Sequence, residues 1–266
     1  MQTLLLLALL AQTPTPVAPA VDPAKQRLET SPRHHEWVQI RQGERVLHAY
    51  VVYPEVAKKA TAVIVIHENR GLTDWVRAVA DRLAENGYIA LAPDLLSGAA
   101  PGGGRTADFP SSDAAREGIS KLDADQVTRD LAALADYAKA LPAANGKLAV
   151  AGFCWGGSQS FRFATNRSDL ASVFVFYGGA PDDPAALARI GAPVFGFYGG
   201  NDARINAGLP ATIEKMKAAG KTYDPVTYDG AGHGFLRSGE AADASAADQA
   251  AQKAAWQRWL QILAGL

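Results

Sequence analysis

Cys154 is the only cysteine in the chain, so no intramolecular disulfide can form and no cysteine-based zinc site can be assembled. Net charge is equally scarce. The 26 basic and 27 acidic residues leave −1, which offers no electrostatic footprint for nucleic acid or an anionic membrane. There is no H-E-x-x-H, no paired-histidine ligand spacing, no Walker loop and no Rossmann glycine fingerprint. Neither a metal nor a cofactor is therefore expected. The N-terminal apolar run, Leu4 to Ala11, is too short to span a bilayer. Ala18-Pro19-Ala20 behind it is a small-residue site of the kind a signal peptidase cuts, although Met1-Gln2-Thr3 supplies no Lys or Arg. Residues 1–20 read as a signal peptide, which predicts a periplasmic or secreted protein, and a cytoplasmic one if the segment is not a signal. A Pro/Ala/Thr-rich linker follows over 21–34, and one folded domain covers 35–266.

With 48% hydrophobic and 20% charged residues, the chain is long enough for one substantial α/β core. Trp37 to Ile40 and Val46 to Tyr53 alternate apolar and polar residues around Gln42-Gly43-Glu44, predicting an antiparallel hairpin. Thr61 to His67 is an almost unbroken β-branched run, predicting a central strand covered on both faces. A helix carrying Trp75, Val79 and Leu83 on one face follows, and Gly87 ends it. Tyr88 to Pro93 reads as a strand. Asp94 to Ser112, rich in Gly and Pro, reads as a long loop. Val127, Leu131, Leu134, Ala138 and Leu141 mark a second helix, closed by Pro142. Further strands are predicted at Ser172 to Tyr177, Val194 to Tyr198 and Tyr223 to Tyr228, with a helix over roughly Ala207 to Ala219. A C-terminal helix carries Trp256, Trp259, Leu260 and Leu263 as a stripe. This alternation predicts an α/β fold, a mostly parallel sheet with helices on both faces.

The stretch that organises the rest is Lys147 to Ser158. A short apolar strand runs into Gly152-Phe153-Cys154-Trp155-Gly156, and Ser158 to Ala164 has the composition of a helix. A strand turning into a helix through G-x-nucleophile-x-G is the nucleophile elbow, here with sulfur in place of oxygen. At a helix N-terminus the dipole and free N–H groups favour a thiolate. A buried structural cysteine is the competing reading, since free cysteines are common in cores. Two later positions bear on the choice. Asp202 follows the strand ending Phe197-Tyr-Gly-Gly-Asn-Asp202, and His233 lies in the glycine-rich loop Asp229 to Phe235. Nucleophile, acid and histidine then come in the chain order of this fold, each just past a strand. A turn aspartate and a solvated loop histidine are the bland alternatives. The loop Ile66-His-Glu-Asn-Arg-Gly-Leu72 stands where an oxyanion loop belongs, so the backbone N–H groups of Asn69 and Trp155 are candidate donors. Glu68 would point towards Cys154. Arg237 could hold either a substrate carboxylate or the Glu68 carboxylate, and His67 is read as structural.

From about residue 35 to the end the chain resembles the dienelactone hydrolase family of α/β-hydrolases, the carboxymethylenebutenolidases. The matching motifs are H-E-N-R-G-L at His67 to Leu72, A-P-D at Ala92 to Asp94, G-F-C-W-G-G at Gly152 to Gly157, F-Y-G-G-N-D at Phe197 to Asp202 and G-A-G-H-G-F at Gly230 to Phe235. The resemblance implies a Cys154–His233–Asp202 triad that cleaves an activated ester or lactone through a thioester. It implies a glutamate, Glu68, beside the cysteine and a substrate-carboxylate arginine, Arg237. The family's second such arginine falls after Asp94, where Arg105 and Arg116 are candidates. Substrate binding is thought in that family to free the glutamate to help deprotonate the thiol. A small ester or lactone is the expected partner, for a monomer or weak dimer. The rival readings are a general carboxylesterase or thioesterase on the same fold and a redox-active thiol protein without hydrolysis.

Overall fold

A computed structural model describes residues 22–266. The expected signal peptide, residues 1–20, lies outside the described residues. Eight strands form one sheet: β1 (His35–Gln42), β2 (Arg45–Val52), β3 (Ala60–Ile66), β4 (Ile89–Asp94), β5 (Ala144–Phe153), β6 (Ser172–Phe176), β7 (Val194–Gly199) and β8 (Tyr223–Tyr228). Their spatial order is β1-β2-β4-β3-β5-β6-β7-β8. The β1–β2 and β2–β4 pairs are antiparallel and all others parallel. Among the described residues ten α-helices accompany it: α1 (Pro23–Thr30), α2 (Asp74–Glu85), α3 (Ser112–Ser120), α4 (Ala124–Ala140), α5 (Trp155–Ala164), α6 (Pro184–Ala188), α7 (Ala203–Asn206), α8 (Leu209–Ala218), α9 (Phe235–Ser238) and α10 (Ala246–Ala264).

Burial explains which strands are central. Every residue of β3, Ala-Thr-Ala-Val-Ile-Val-Ile, is buried, as a doubly covered parallel strand requires. Side chains of β3 alternate between two cores. Ala62, Ile64 and Ile66 face Leu131 and Leu134 of α4 and Phe161 of α5, whereas Val63 and Val65 face Val76 and Val79 of α2 and Trp259 of α10. The predicted C-terminal stripe is buried at Trp256, Trp259 and Leu263. Chain direction decides where the site falls. After β3 the chain crosses to β4 on one side, and after β5 it crosses to β6 on the other. The carboxyl ends of β3 and β5 therefore flank the point where the winding reverses, which is where open α/β sheets leave a crevice. Among the described residues no helix is long and apolar enough to cross a membrane.

Two stretches differ from the sequence expectation. Residues 23–30, assigned to the 21–34 linker, form α1. Asp22 caps it by accepting from the Ala24 N–H, and proline occupies its first position. No α1 residue is fully buried, so no apolar periodicity announces it. Ala24 and Leu28 pack partly buried against the core, and charge ties the segment further: Arg27 lies 2.7 Å and Arg33, just beyond the helix, 2.6 Å from the buried Asp81 of α2. Burial alone would push the Asp81 carboxyl up, but Arg33, Ser31 and Arg27 hold it below its ordinary value. The long loop after Asp94 runs into α3, capped by Ser111 and fixed by only two buried side chains, Ala115 and Ile119. Two apolar positions are too few to register as a helical period.

Candidate active site

Phe153 ends β5, and Cys154 occupies the N-cap of α5 at φ 56°, ψ −116°. Together with Tyr177 at φ 41°, it is one of two non-glycine residues in the described chain with positive φ. Such backbone is strained for an L-residue and persists where its surroundings over-determine it. Glycines supply that constraint. A Cβ on Gly152 would stand 1.9 Å from the Gly156 carbonyl oxygen, and one on Gly156 would stand 2.3 Å from the His67 carbonyl oxygen. The elbow thus lies directly against the end of β3, closer than any side chain permits. The Cys154 N–H donates to the Phe176 carbonyl at 3.0 Å, tying the turn to β6 as well.

Asp202 follows β7 and caps α7 by accepting from the Ile205 N–H at 3.4 Å. Its other oxygen lies 2.5 Å from His233 Nδ1. That bond occupies Nδ1 and leaves Nε2 unused. The Cys154 thiol is the largest influence raising His233 above its ordinary value. Burial opposes it, and Asp202 adds to the rise. Tyr177 packs edge-on to the His233 ring, centroids 5.1 Å apart, and limits its swing.

The histidine loop is stapled from below. The Asn201 N–H donates to the Ala231 carbonyl at 2.9 Å, and Asp248 of α10 accepts from the Gly232 N–H at 2.8 Å and from Ser238 Oγ at 3.0 Å. One carboxylate therefore clamps both ends of the segment bearing His233 and Arg237. Replacing Asp248 with alanine is expected to lower kcat about tenfold with little change in KM, since a loosened loop misplaces the base rather than the substrate. Asp248→Asn, which keeps an acceptor oxygen, should recover most of the loss. Equal losses in both variants would argue against the clamp.

Glu68 and Arg237 meet, with Nε to Oε2 at 2.8 Å, although they stand 169 residues apart. The carboxylate is buried, and its partner guanidinium is half exposed. Of the two uses expected of Arg237, holding Glu68 is the one this structure displays. The pair opens into a cavity of ≈ 600 Å³ with Arg70, Arg105 and Thr106. Cys154 lines a different cleft, ≈ 510 Å³, together with Asn69, Trp155, Tyr177, Arg116 and Arg204. Sulfur and glutamate thus line separate cavities. Asn69 and Trp155 line the same cleft as Cys154, and neither backbone N–H donates to another group among the described residues. His67 is structural in its contacts. Its Nδ1–H donates to the Glu68 carbonyl at 2.8 Å, its Nε2 accepts from the Leu95 N–H at 3.3 Å, and its ring stacks on Trp155. Burial pushes it below its ordinary value, which keeps the imidazole neutral. Tyr177, Arg204 and Asp248 carried no local signal in the sequence, because no motif surrounds them.

Among the described residues no group of three or more His, Cys, Asp or Glu side chains is placed to hold a metal ion. What the site does hold is a thiol at the elbow, an imidazole bonded to a carboxylate, and a cleft lined by Cys154, Asn69 and Trp155.

Similarity to known proteins extends over most of the chain. The family model described as "Dienelactone hydrolase family" matches residues 47–266. A Methylorubrum extorquens protein, provisionally named a carboxymethylenebutenolidase, is 35% identical over 217 residues, 74% of this chain and 71% of that one. Carboxymethylenebutenolidase 1 of Cupriavidus pinatubonensis is 28% identical over 219 residues, 82% of this chain and 91% of its own. Among solved structures, one from Klebsiella pneumoniae, again provisionally described as a dienelactone hydrolase, superposes with TM-score 0.77 at 26% identity. It covers 88% of this chain and 99% of its own.

Proposed function

Because this chain belongs to the dienelactone hydrolase family, α/β-hydrolases that cleave esters and lactones, we propose that it does so through a Cys154–His233–Asp202 triad and a thioester intermediate. The observation that carries the reading is the relay itself. The 2.5 Å Asp202–His233 bond occupies Nδ1, which leaves the imidazole's other nitrogen as an acceptor for a proton from Cys154, the group that most raises this histidine.

The Cys154 thiolate attacks the acyl carbonyl carbon. The carbonyl oxygen takes up negative charge against the Asn69 and Trp155 N–H groups, and the alkoxide or enolate departs with a proton from His233. Water, deprotonated by His233, then attacks the thioester, and the thiolate leaves again. Thiolate is both a good nucleophile and a good leaving group, so the tetrahedral intermediate goes forward only when the alcohol side departs at least as readily. Activated esters and enol lactones satisfy this, and amides do not. Glu68 waits on Arg237 as a second acceptor for the thiol proton, available when that pair opens.

The test is direct trapping. On mixing with an excess of 4-nitrophenyl acetate at low temperature, the intact protein should gain one acetyl group, and peptide mapping should place it on Cys154. Rapid release of 4-nitrophenol without any acetylated protein would reject the thioester. Turnover of cis- and trans-dienelactone beside aryl acetates and acyl thioesters would then separate a lactonase from a general esterase or thioesterase.

A further inference from the structure

A further cavity, ≈ 580 Å³, adjoins the cleft that Cys154 lines, and Ser158 forms part of the wall of both. The surface joining them is one face of α5. Trp155, Ser158, Gln159 and Arg162 follow one another at i, i+3, i+4 and i+7, which makes them a single stripe along the helix. Trp155 and Ser158 line the cleft of the sulfur, and Ser158, Gln159 and Arg162 line the further cavity. Because α5 starts at the elbow, Gln159 and Arg162 stand about 7.5 and 12 Å from Cys154 along the helix axis, at 1.5 Å per residue. The stripe is a track that leads away from the nucleophile.

The chemistry of the far end is polar, and its charges are already answered. Arg162 pairs with Asp125 of α4, Arg189 donates from Nε to the Thr165 carbonyl at 3.0 Å, and Asp182 meets Lys215 at 3.4 Å. Asp183 accepts from the Ala185 N–H as the cap of α6. An ion of either sign would have to break a standing pair to be held there. Two atoms of the stripe are unanswered. Gln159 Oε1, an acceptor, and Arg162 Nε, a donor, are buried without a hydrogen-bond partner among the described residues, one helical turn apart. Buried groups of this kind are costly to leave unpaired. A hydroxyl donates and accepts through one oxygen, so neighbouring hydroxyls on one ring can answer both, and an apolar chain can answer neither.

We infer that this cavity is a subsite for a neutral, hydroxyl-bearing group of the substrate: an ester or lactone whose acyl portion carries a sugar-like ring one to two turns of α5 away from the carbonyl that Cys154 attacks. The inference rests on Cys154 being the nucleophile. The hydroxylated ring belongs to the acyl portion because a sugar alkoxide is a poor leaving group, and the thiolate would be expelled before it. Gln159 and Arg162 act on affinity and not on the chemical step, since their distance from the reacting carbon makes their contacts the same in ground and transition states.

The experiment compares 4-nitrophenyl 4-(glucosyloxy)benzoate with 4-nitrophenyl 4-(cyclohexyloxy)benzoate, which share a leaving group and a benzoyl core and differ in whether the distal ring is a sugar or a hydrocarbon. Wild-type kcat/KM should favour the glucosyl ester. In the double variant Gln159→Leu/Arg162→Met the glucosyl-to-cyclohexyl ratio should fall about 30-fold, carried by KM for the glucosyl ester. Gln159→Leu alone keeps the ion pair that ties α5 to α4, so it guards against a folding loss, and its ratio should fall about fivefold. Gln257→Leu, exposed on α10, should keep the wild-type ratio. A wild type without preference for the glucosyl ester would overturn the inference. So would a ratio unmoved in both cavity variants, or one that falls as far in Gln257→Leu. Failure of the underlying catalytic reading looks different: turnover of both esters would then survive Cys154→Ala.

Discussion

Cys154→Ala is expected to lower kcat for 4-nitrophenyl acetate by on the order of 10⁴-fold, to a residue of activity supplied by the amide donors and the cleft alone. The loss should appear almost wholly in kcat, because the sulfur contributes a bond in the transition state and little to ground-state affinity. Cys154→Ser should fall between. A serine hydroxyl fits the elbow, where the strain lies in the backbone and the glycine contacts are unaltered. It is, however, far harder to deprotonate than a thiol, and His233 would have to remove the proton during attack rather than before it. Folding should survive both changes, since Cys154 is partly exposed and the constraints on its φ come from its neighbours. Steady-state kinetics with an unfolding midpoint for each variant makes the check. An alanine variant within tenfold of wild type would show that the sulfur is not the nucleophile.

The second large effect is expected at Asp202. Asp202→Asn should cost about 10³-fold in kcat, somewhat less than the roughly 10⁴-fold loss where serine is the nucleophile, because a thiol needs less help to ionise. The carboxylate accepts from Nδ1–H and leaves Nε2 free to take the thiol proton; an amide can present its N–H instead and reverse the tautomer. A change in pH dependence should accompany the loss. Asp202 is one of the groups that raise His233, so deleting its charge removes an attraction felt only by imidazolium. The folded-state pKa then falls, neutral imidazole persists to lower pH, and the acid limb of kcat/KM moves down. In the wild type that limb should stand above about 6.5, the ordinary histidine value. A limb that stays in place in Asp202→Asn would mean that the carboxylate does not set the charge of the base.

Much of this site could be read without coordinates because its parts are local. The glycines around Cys154 are dictated by backbone contacts that no Cβ could survive. Their spacing therefore reports the elbow directly, and the strand before Asp202 is an apolar and aromatic run buried at all but one position. The segments read less well are those held by few or by polar contacts. The helix at 23–30 lays only Ala24 and Leu28 against the core and is tied to Asp81 by Arg27, and α3 rests on Ala115 and Ile119. Hydrophobic periodicity is silent in both cases.

The amino-acid order alone determined that a sulfur, a carboxylate and an imidazole would each end up just beyond a parallel strand, because local pattern fixes where strands end and the winding rule fixes which end is open. Which groups then touch was decided only by the assembled sheet. Glu68 finds Arg237 rather than the thiol, and the sulfur shares its cleft with Arg116 and Arg204. The reason is geometric. Motifs constrain a few neighbouring torsions, whereas a meeting of residues far apart in sequence depends on the stacking order of eight strands and on loops whose course no local rule contains.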